Sequence, residues 1–150
     1  MKKKIILLGG LLISLSSIAQ KEKKDQVLVN LGKFSVAEGG VFSTIYDFNN
    51  VATGVVEHNG DVYYYNNFNN DNLYYHKNNA VRSKAVFTKY ENKKGKQVIS
   101  GSKPSDFYHV VLDNAEPIVA FDLKNEANVR GSVDFKDGII KVDSLAGMLT

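Results

Sequence analysis

The chain has no cysteine and only two prolines, Pro104 and Pro117. Without cysteine, no disulfide can stabilise it, which is unusual for a small exported domain that stands alone. Either its core suffices, or it leans on neighbouring protein. No window carries a convincing helical stripe, so helix is expected only at the extreme N-terminus. Long apolar runs are equally scarce. The only one is Ile5 to Leu15 (IILLGGLLISL), too short to span a bilayer comfortably. Charge of one sign is also lacking. The whole chain has 19 Lys and Arg against 16 Asp and Glu, and setting aside Lys2, Lys3 and Lys4 leaves 16 against 16. With no clustered basic face, nucleic acid is excluded as a partner. The small basic runs KEKKD (21–25) and KYENKKGKQ (89–97) read as a solvated tail and a polar turn.

The N-terminus sets the compartment. Lys2 to Lys4, the apolar run and the small residues Ser17-Ile18-Ala19 form the pattern of a cleavable secretory signal over residues 1–19. No cysteine follows that run to carry a lipid, and no stable membrane span remains after cleavage. Residues 20–26 follow as a polar tail, and 27–150 as one β-rich module of modest core.

From residue 27 onward, apolar and polar residues alternate with period two. The strands read are VLVNL (27–31), VFSTIYDF (41–48), GVVEH (54–58), DVYYY (61–65), NLYYH (72–76), AVFTKY (85–90), KQVIS (96–100), DFYHVVLDN (106–114), VAFDL (119–123) and ANVRGSVDFK (127–136). Their expected core includes Val110, Leu112, Val119, Phe121, Leu123, Val129, Val133, Phe135, Ile140 and Val142, with Tyr108 beside them; Asp122 is placed on the solvated side. Asn- and Gly-rich pairs are read as corners: Gly39-Gly40, Asn49-Asn50, Asn59-Gly60, Asn69-Asn70, Asn78-Asn79, Asp113-Asn114 and Asp137-Gly138. Two all-β architectures fit. Asn59-Gly60 between strands is a hairpin signal and favours an antiparallel β-sandwich. Similar one-sided strands with Asn and Gly corners favour a parallel β-solenoid, whose coils can stack asparagines into hydrogen-bonded ladders. The solenoid is the preferred reading.

DVYYYNNFNNDNLYYH (61–76) is the compositionally odd segment. Tyr63, Tyr64, Tyr65, Tyr74 and Tyr75 are the candidate binding residues, because tyrosine offers a broad apolar face with a polar tip to partly hydrated glycans or surfaces. The plainer reading has alternate tyrosines filling the core and the rest covering a sheet face. An amyloid-forming tract is a third reading, which Asp61 and Asp71 interrupt. His58, His76 and His109 have no metal-ligand spacing, and Asp61 and Asp71 no calcium-loop pattern, so no metal or cofactor is expected. Ser100-Gly101-Ser102 is not a nucleophile elbow. Asp134 with Asp137 would be the carboxylate pair of a carbohydrate-active enzyme, the rival to a non-catalytic module.

Three stretches carry a family resemblance: HNGDVYYYNNFNNDN (58–72), residues 85–114 and residues 120–150. Within them stand Gly95, Gln97, Ile99 and Gly101, then Phe107, Tyr108, Val110, Leu112, Asp113 and Asn114. This combination resembles the N-terminal region of large secreted surface proteins of Bacteroidetes, adhesin-like or gliding-motility-associated substrates of the type IX secretion system. The resemblance implies a stacked-strand architecture and a non-catalytic structural or adhesive role at the cell surface. Its implied partners are surface glycans, other cell-surface proteins and the export machinery. Such proteins end in a C-terminal sorting domain, whereas this chain stops at Leu149-Thr150. It is therefore expected to be the N-terminal piece of a longer protein; a product ending at Thr150 would instead be periplasmic. A pure structural spacer is the remaining alternative.

Intact-mass analysis of the native protein in its own cells is expected to show a chain beginning at Gln20 and extending past Thr150. A start at Met1 would refute the signal, and an end at Thr150 the surface role.

Overall fold

The computed structural model describes residues 26–91 and 95–142. The signal region, most of the polar tail and the last eight residues lie outside the described residues. No helix occurs among the described residues, and so none long and apolar enough to cross a membrane. Sixteen strands wind as a parallel β-solenoid of five turns plus the first strand of a sixth. The first turn is β1 (Val27–Asn30), β2 (Lys33–Val36) and β3 (Val41–Thr44). The second is β4 (Asp47–Asn50), β5 (Val55–His58) and β6 (Asp61–Tyr64). The third is β7 (Phe68–Asn70), β8 (Leu73–Tyr75) and β9 (Lys84–Thr88). The fourth is β10 (Gln97–Gly101), β11 (Ser105–Phe107) and β12 (His109–Asp113). The fifth is β13 (Phe121–Leu123), β14 (Ala127–Val129) and β15 (Val133–Asp137), followed by β16 (Ile140–Val142).

No strand pairs with its neighbour in sequence; each from β1 to β13, β8 excepted, pairs in parallel with the strand three places on, which makes three faces. Sheet I is β1-β4-β7-β10-β13-β16 and sheet III is β3-β6-β9-β12-β15. Sheet II comprises β2-β5-β8 and, separately, β11-β14. The solenoid is thus the fold, and the sandwich alternative falls. Asn59-Gly60 makes no hairpin: β5 before it and β6 after it belong to different sheets. The glycine is required there by crowding, since a Cβ on Gly60 would strike the carbonyl oxygens of Gly40 and Ala37 in the coil below.

Two of the seven corners are strand instead. Asn49-Asn50 ends β4 and Asn69-Asn70 ends β7, in register across a twenty-residue step. Asparagine is a poor strand former, but here its amide continues the ladder through side chains. Asn30 Nδ2 donates to Asn50 Oδ1 at 2.8 Å, and Asn50 Nδ2 donates to Asn70 Oδ1 at 2.7 Å. Both inner asparagines, Asn50 and Asn70, are fully buried. An outer ladder runs beside it, Asn69 Nδ2 donating to Asn49 Oδ1 at 2.9 Å.

The core is a column of aromatic and aliphatic side chains. Phe48 stacks on Phe68 with centroids 5.9 Å apart, and Tyr64 on Phe87 at 5.3 Å. Val110, Leu112, Phe121 and Leu123 are buried as expected, while Val119, Val129, Val133 and Ile140 are half-buried. Phe135 (50% exposed) and Val142 (43%) are corrections: they sit on the last strands of sheets III and I, with no described coil above them. Phe107, not Tyr108, fills the core of the fourth turn, because Tyr108 is the corner between β11 and β12. Asp122 is buried rather than solvated, roofed by Lys96 at 2.8 Å and Lys124 at 3.8 Å. Three long runs (41–48, 106–114 and 127–136) each divide into two strands at a corner; in 41–48 and 127–136 the inward parity continues through the bend and hides it, whereas in 106–114 it shifts from Phe107 to Val110.

Gly54→Ala is expected to cost about 1–3 kcal/mol, because its Cβ would meet Asn50 Oδ1 and the Asn30 carbonyl oxygen. Asn50→Ala should cost a comparable amount by orphaning buried partners in the ladder. Denaturant midpoints of the purified variants check both.

Candidate functional site

The outer face of sheet III is the longest unbroken surface outside sheet I, and the odd tyrosine segment contributes to it. On β6, Val62 and Tyr64 point inward, so Asp61 and Tyr63 point outward, and Tyr65 follows at the strand end. Register carries the outward row Ser43, Tyr63, Val86, Val111, Asp134 across all five strands. A second row pairs Thr88 with Asp113 beside Tyr65. Steps between strands are about 4.8 Å, so each row is a straight track along the solenoid axis.

These side chains enclose a shallow trough of about 410 Å³. Tyr63, Val86 and Val111 supply its apolar floor, Tyr65 and Thr88 a polar edge, and Asp113, Asp134, Lys84 and Lys136 its charges. Tyr65 is held edge-on against Tyr90, with ring centroids 5.8 Å apart. Lys84 is tied to Asp61 at 3.2 Å. Among the described residues, no ion pair engages Asp113, Asp134 or Lys136, which leaves their charges to whatever enters the trough. Such a surface can stack a sugar ring on tyrosine and accept hydroxyl or ammonium donors at its carboxylates.

Of the five tyrosines expected to bind, the structure brings together only Tyr63 and Tyr65. Tyr64 and Tyr74 are core residues, which removes both from the binding set. Their hydroxyls face each other at 3.0 Å, and burial pushes the Tyr64 phenol above the ordinary range. Tyr75 lies on sheet II, where its hydroxyl donates to Glu57 Oε2 at 2.9 Å. Lys77 at 3.0 Å and Asn59 Nδ2 at 2.8 Å complete that node, holding the Glu57 carboxyl down to about 2. Strand alternation separates these residues: adjacent tyrosines on one strand must face opposite sides.

Asp134 does join Tyr63 and Tyr65 in the trough, but Asp137 does not line it; Asp137 Oδ1 accepts the N–H of Gly138 in its own turn. Asp113 takes the place beside Asp134. From the sequence, Asp113 reads only as a corner and as part of the family resemblance, and neither it nor Val86, Thr88, Val111 or Lys136 is taken as a site residue. Aligning successive turns so that buried positions coincide would have found all five. Among the described residues, no three His, Asp or Glu side chains gather as a metal site.

No protein-family model matches the chain, and neither does any curated protein or solved structure. The trough is therefore interpreted from its own chemistry.

The paired phenols of Tyr64 and Tyr74 give a sharp test of the core assignment. Tyr64→Phe and Tyr74→Phe should each cost about 1–2 kcal/mol, and the double variant clearly less than their sum, because only a single change orphans a buried hydroxyl. Equilibrium unfolding of the four proteins measures this.

Proposed function

We propose that this chain is a non-catalytic, exported structural and adhesive module of a cell-surface protein, and that it contacts glycans or surfaces through the outer face of sheet III. The observation that carries this reading is the trough: two outward tyrosines and two valines on a continuous sheet, flanked by carboxylates that no described residue pairs with as an ion. The platform is rigid because each strand of sheet III is clamped on both sides, except β3 and β15 at its edges. Rigid aromatic side chains lose little entropy on contact, which suits weak binding repeated over many copies. The family resemblance supports the same compartment and role.

A second reading has one specific observation in its favour. Asp113 and Asp134 share the trough, as the two carboxylates of a carbohydrate-active enzyme would. Polysaccharide turnover by the wild type that is lost in Asp134→Asn would establish that reading.

Binding to immobilised neutral, acidic and aminated polysaccharides tests the proposal. The wild type is expected to retain at least one of them, and Tyr63→Ala with Tyr65→Ala to weaken retention about tenfold, as two lost aromatic contacts would. Their circular dichroism should match the wild type, since both side chains lie outside the core. Retention unchanged by the double substitution, or no retention by the wild type, refutes the adhesive role and leaves a spacer.

A further inference from the structure

Sheets I and III run unbroken, whereas sheet II is interrupted: β8 and β11 lie side by side without joining one ladder. Side chains cross the break instead. Asn70 Nδ2 donates to the Pro104 carbonyl oxygen at 2.9 Å. His58, at the end of β5, reaches past β8, and its Nε2 meets the Asp106 carbonyl oxygen on β11 at 3.3 Å. A carbonyl can only accept, so Nε2 carries the proton and Nδ1 is the bare nitrogen. Nδ1 is buried and has no partner among the described residues.

The surroundings of His58 give a second proton no support. From β8 and its end it faces Tyr74 at 4.8 Å and His76 at 6.2 Å between ring centroids, and from β11 it faces Phe107 at 5.8 Å. The Tyr74 hydroxyl is engaged with Tyr64, and His76 Nδ1 lies 2.9 Å from the Lys77 carbonyl oxygen. The Asp106 carboxylate accepts from Asn128 Nδ2 at 2.7 Å. On its own strand, Glu57 is bound by Lys33 and Lys77. No anion among these groups partners His58 Nδ1. A cleft of about 360 Å³ already lies over the break, lined by Asn72, Leu73, Tyr74, Lys103, Pro104 and Asp106 among others.

We propose that the β8–β11 break is an acid-operated seam: protonation of His58 parts the third and fourth turns along sheet II, uncovering Tyr74 and Phe107, while sheets I and III stay zipped. Geometry makes the opening local, because only this face lacks a backbone ladder between those turns.

The direction follows from burial, which with the nearby His76 pulls the His58 imidazole down to about 4 when the seam is closed. Open, it returns toward its ordinary 6.5. The closed form is thus fully favoured above about pH 6.5 and loses stability as pH falls toward about 4. Glu57 acts in a different window. Its lowered carboxyl contributes fully above the ordinary 4.5, and that contribution is lost as pH falls to about 2. The Glu57 node therefore contributes little to acid effects above about pH 4.5.

Hydroxyl-radical footprinting at about pH 7 and about pH 5 tests the seam through the side chains it uncovers. Labelling rates of Tyr74 and Phe107 are expected to rise about 20-fold at the lower pH relative to those of Phe48 and Phe87. His58→Gln, which keeps an N–H donor but cannot titrate there, should abolish the difference. If that variant does not fold, the His58 ring can be titrated by NMR in the wild type, with a midpoint well below 6.5 that coincides with the opening. An equal rise in labelling at Phe48, Phe87, Tyr74 and Phe107, an unchanged acid response in His58→Gln, or a His58 midpoint at its ordinary value would overturn the seam.

Discussion

Each turn of this protein is hydrogen-bonded to the turn beneath it in parallel and in register, so a side chain meets its counterpart about 4.8 Å away rather than an opposite on a hairpin partner. Like must therefore tolerate like. Phenylalanine stacks on phenylalanine, and a row of amides satisfies itself. Corners need small residues wherever one coil's carbonyl oxygens press on the next, as at Gly54 and Gly60. A charge in such a column would repel its neighbour, and two outer carboxylates meet cations accordingly: Asp61 beside Lys84, and Asp122 beside Lys96 and Lys124, whereas Asp113 stands in register with Asp137.

The same constraint gives the three faces different characters. Sheet I carries the outer amide ladder, and sheet III a track of tyrosine and valine with Asp113, Asp134 and Lys136 at its end. Sheet II gathers Glu57, Lys33, Lys77 and Tyr75 into one tight node, then breaks where Pro104, lacking an N–H, introduces β11. The trough and the break thus lie on different faces of the solenoid. At both ends of the described stack the strand edges are open and apolar side chains are exposed, among them Val27, Leu28 and Val41 at one end and Phe135 and Ile139 at the other.

Much of this was legible in the residues. Alternation around Tyr63, Tyr64 and Tyr65 announced a strand with one face in and one face out, and the wealth of asparagine announced ladders rather than helix. Corners at Gly39-Gly40, Asn78-Asn79 and Asp137-Gly138 lie where turn chemistry puts them. What misled was local reasoning about Asn49-Asn50 and Asn69-Asn70. Their strand conformation depends on amides in neighbouring coils, which a propensity cannot register. Runs such as 127–136 misled for a related reason: the in-and-out pattern passes unchanged through Arg130, Gly131 and Ser132, where the backbone turns onto the next face.

The chain by itself determined the all-β class, the inward and outward sides of most strands and the residues able to make an apolar core, because these follow from side-chain period and turn chemistry. Only the tertiary structure decided which outward residues meet. Tyr63 and Asp134 are separated by three strand-to-strand steps whose lengths differ, since the corners carry unequal insertions. It also decided that Tyr64 and Tyr74 are core, that Tyr75 belongs to the Glu57 node, and that His58 bridges a break in its sheet. Those facts depend on register between coils, and register is set by the packing of the whole stack rather than by any one strand.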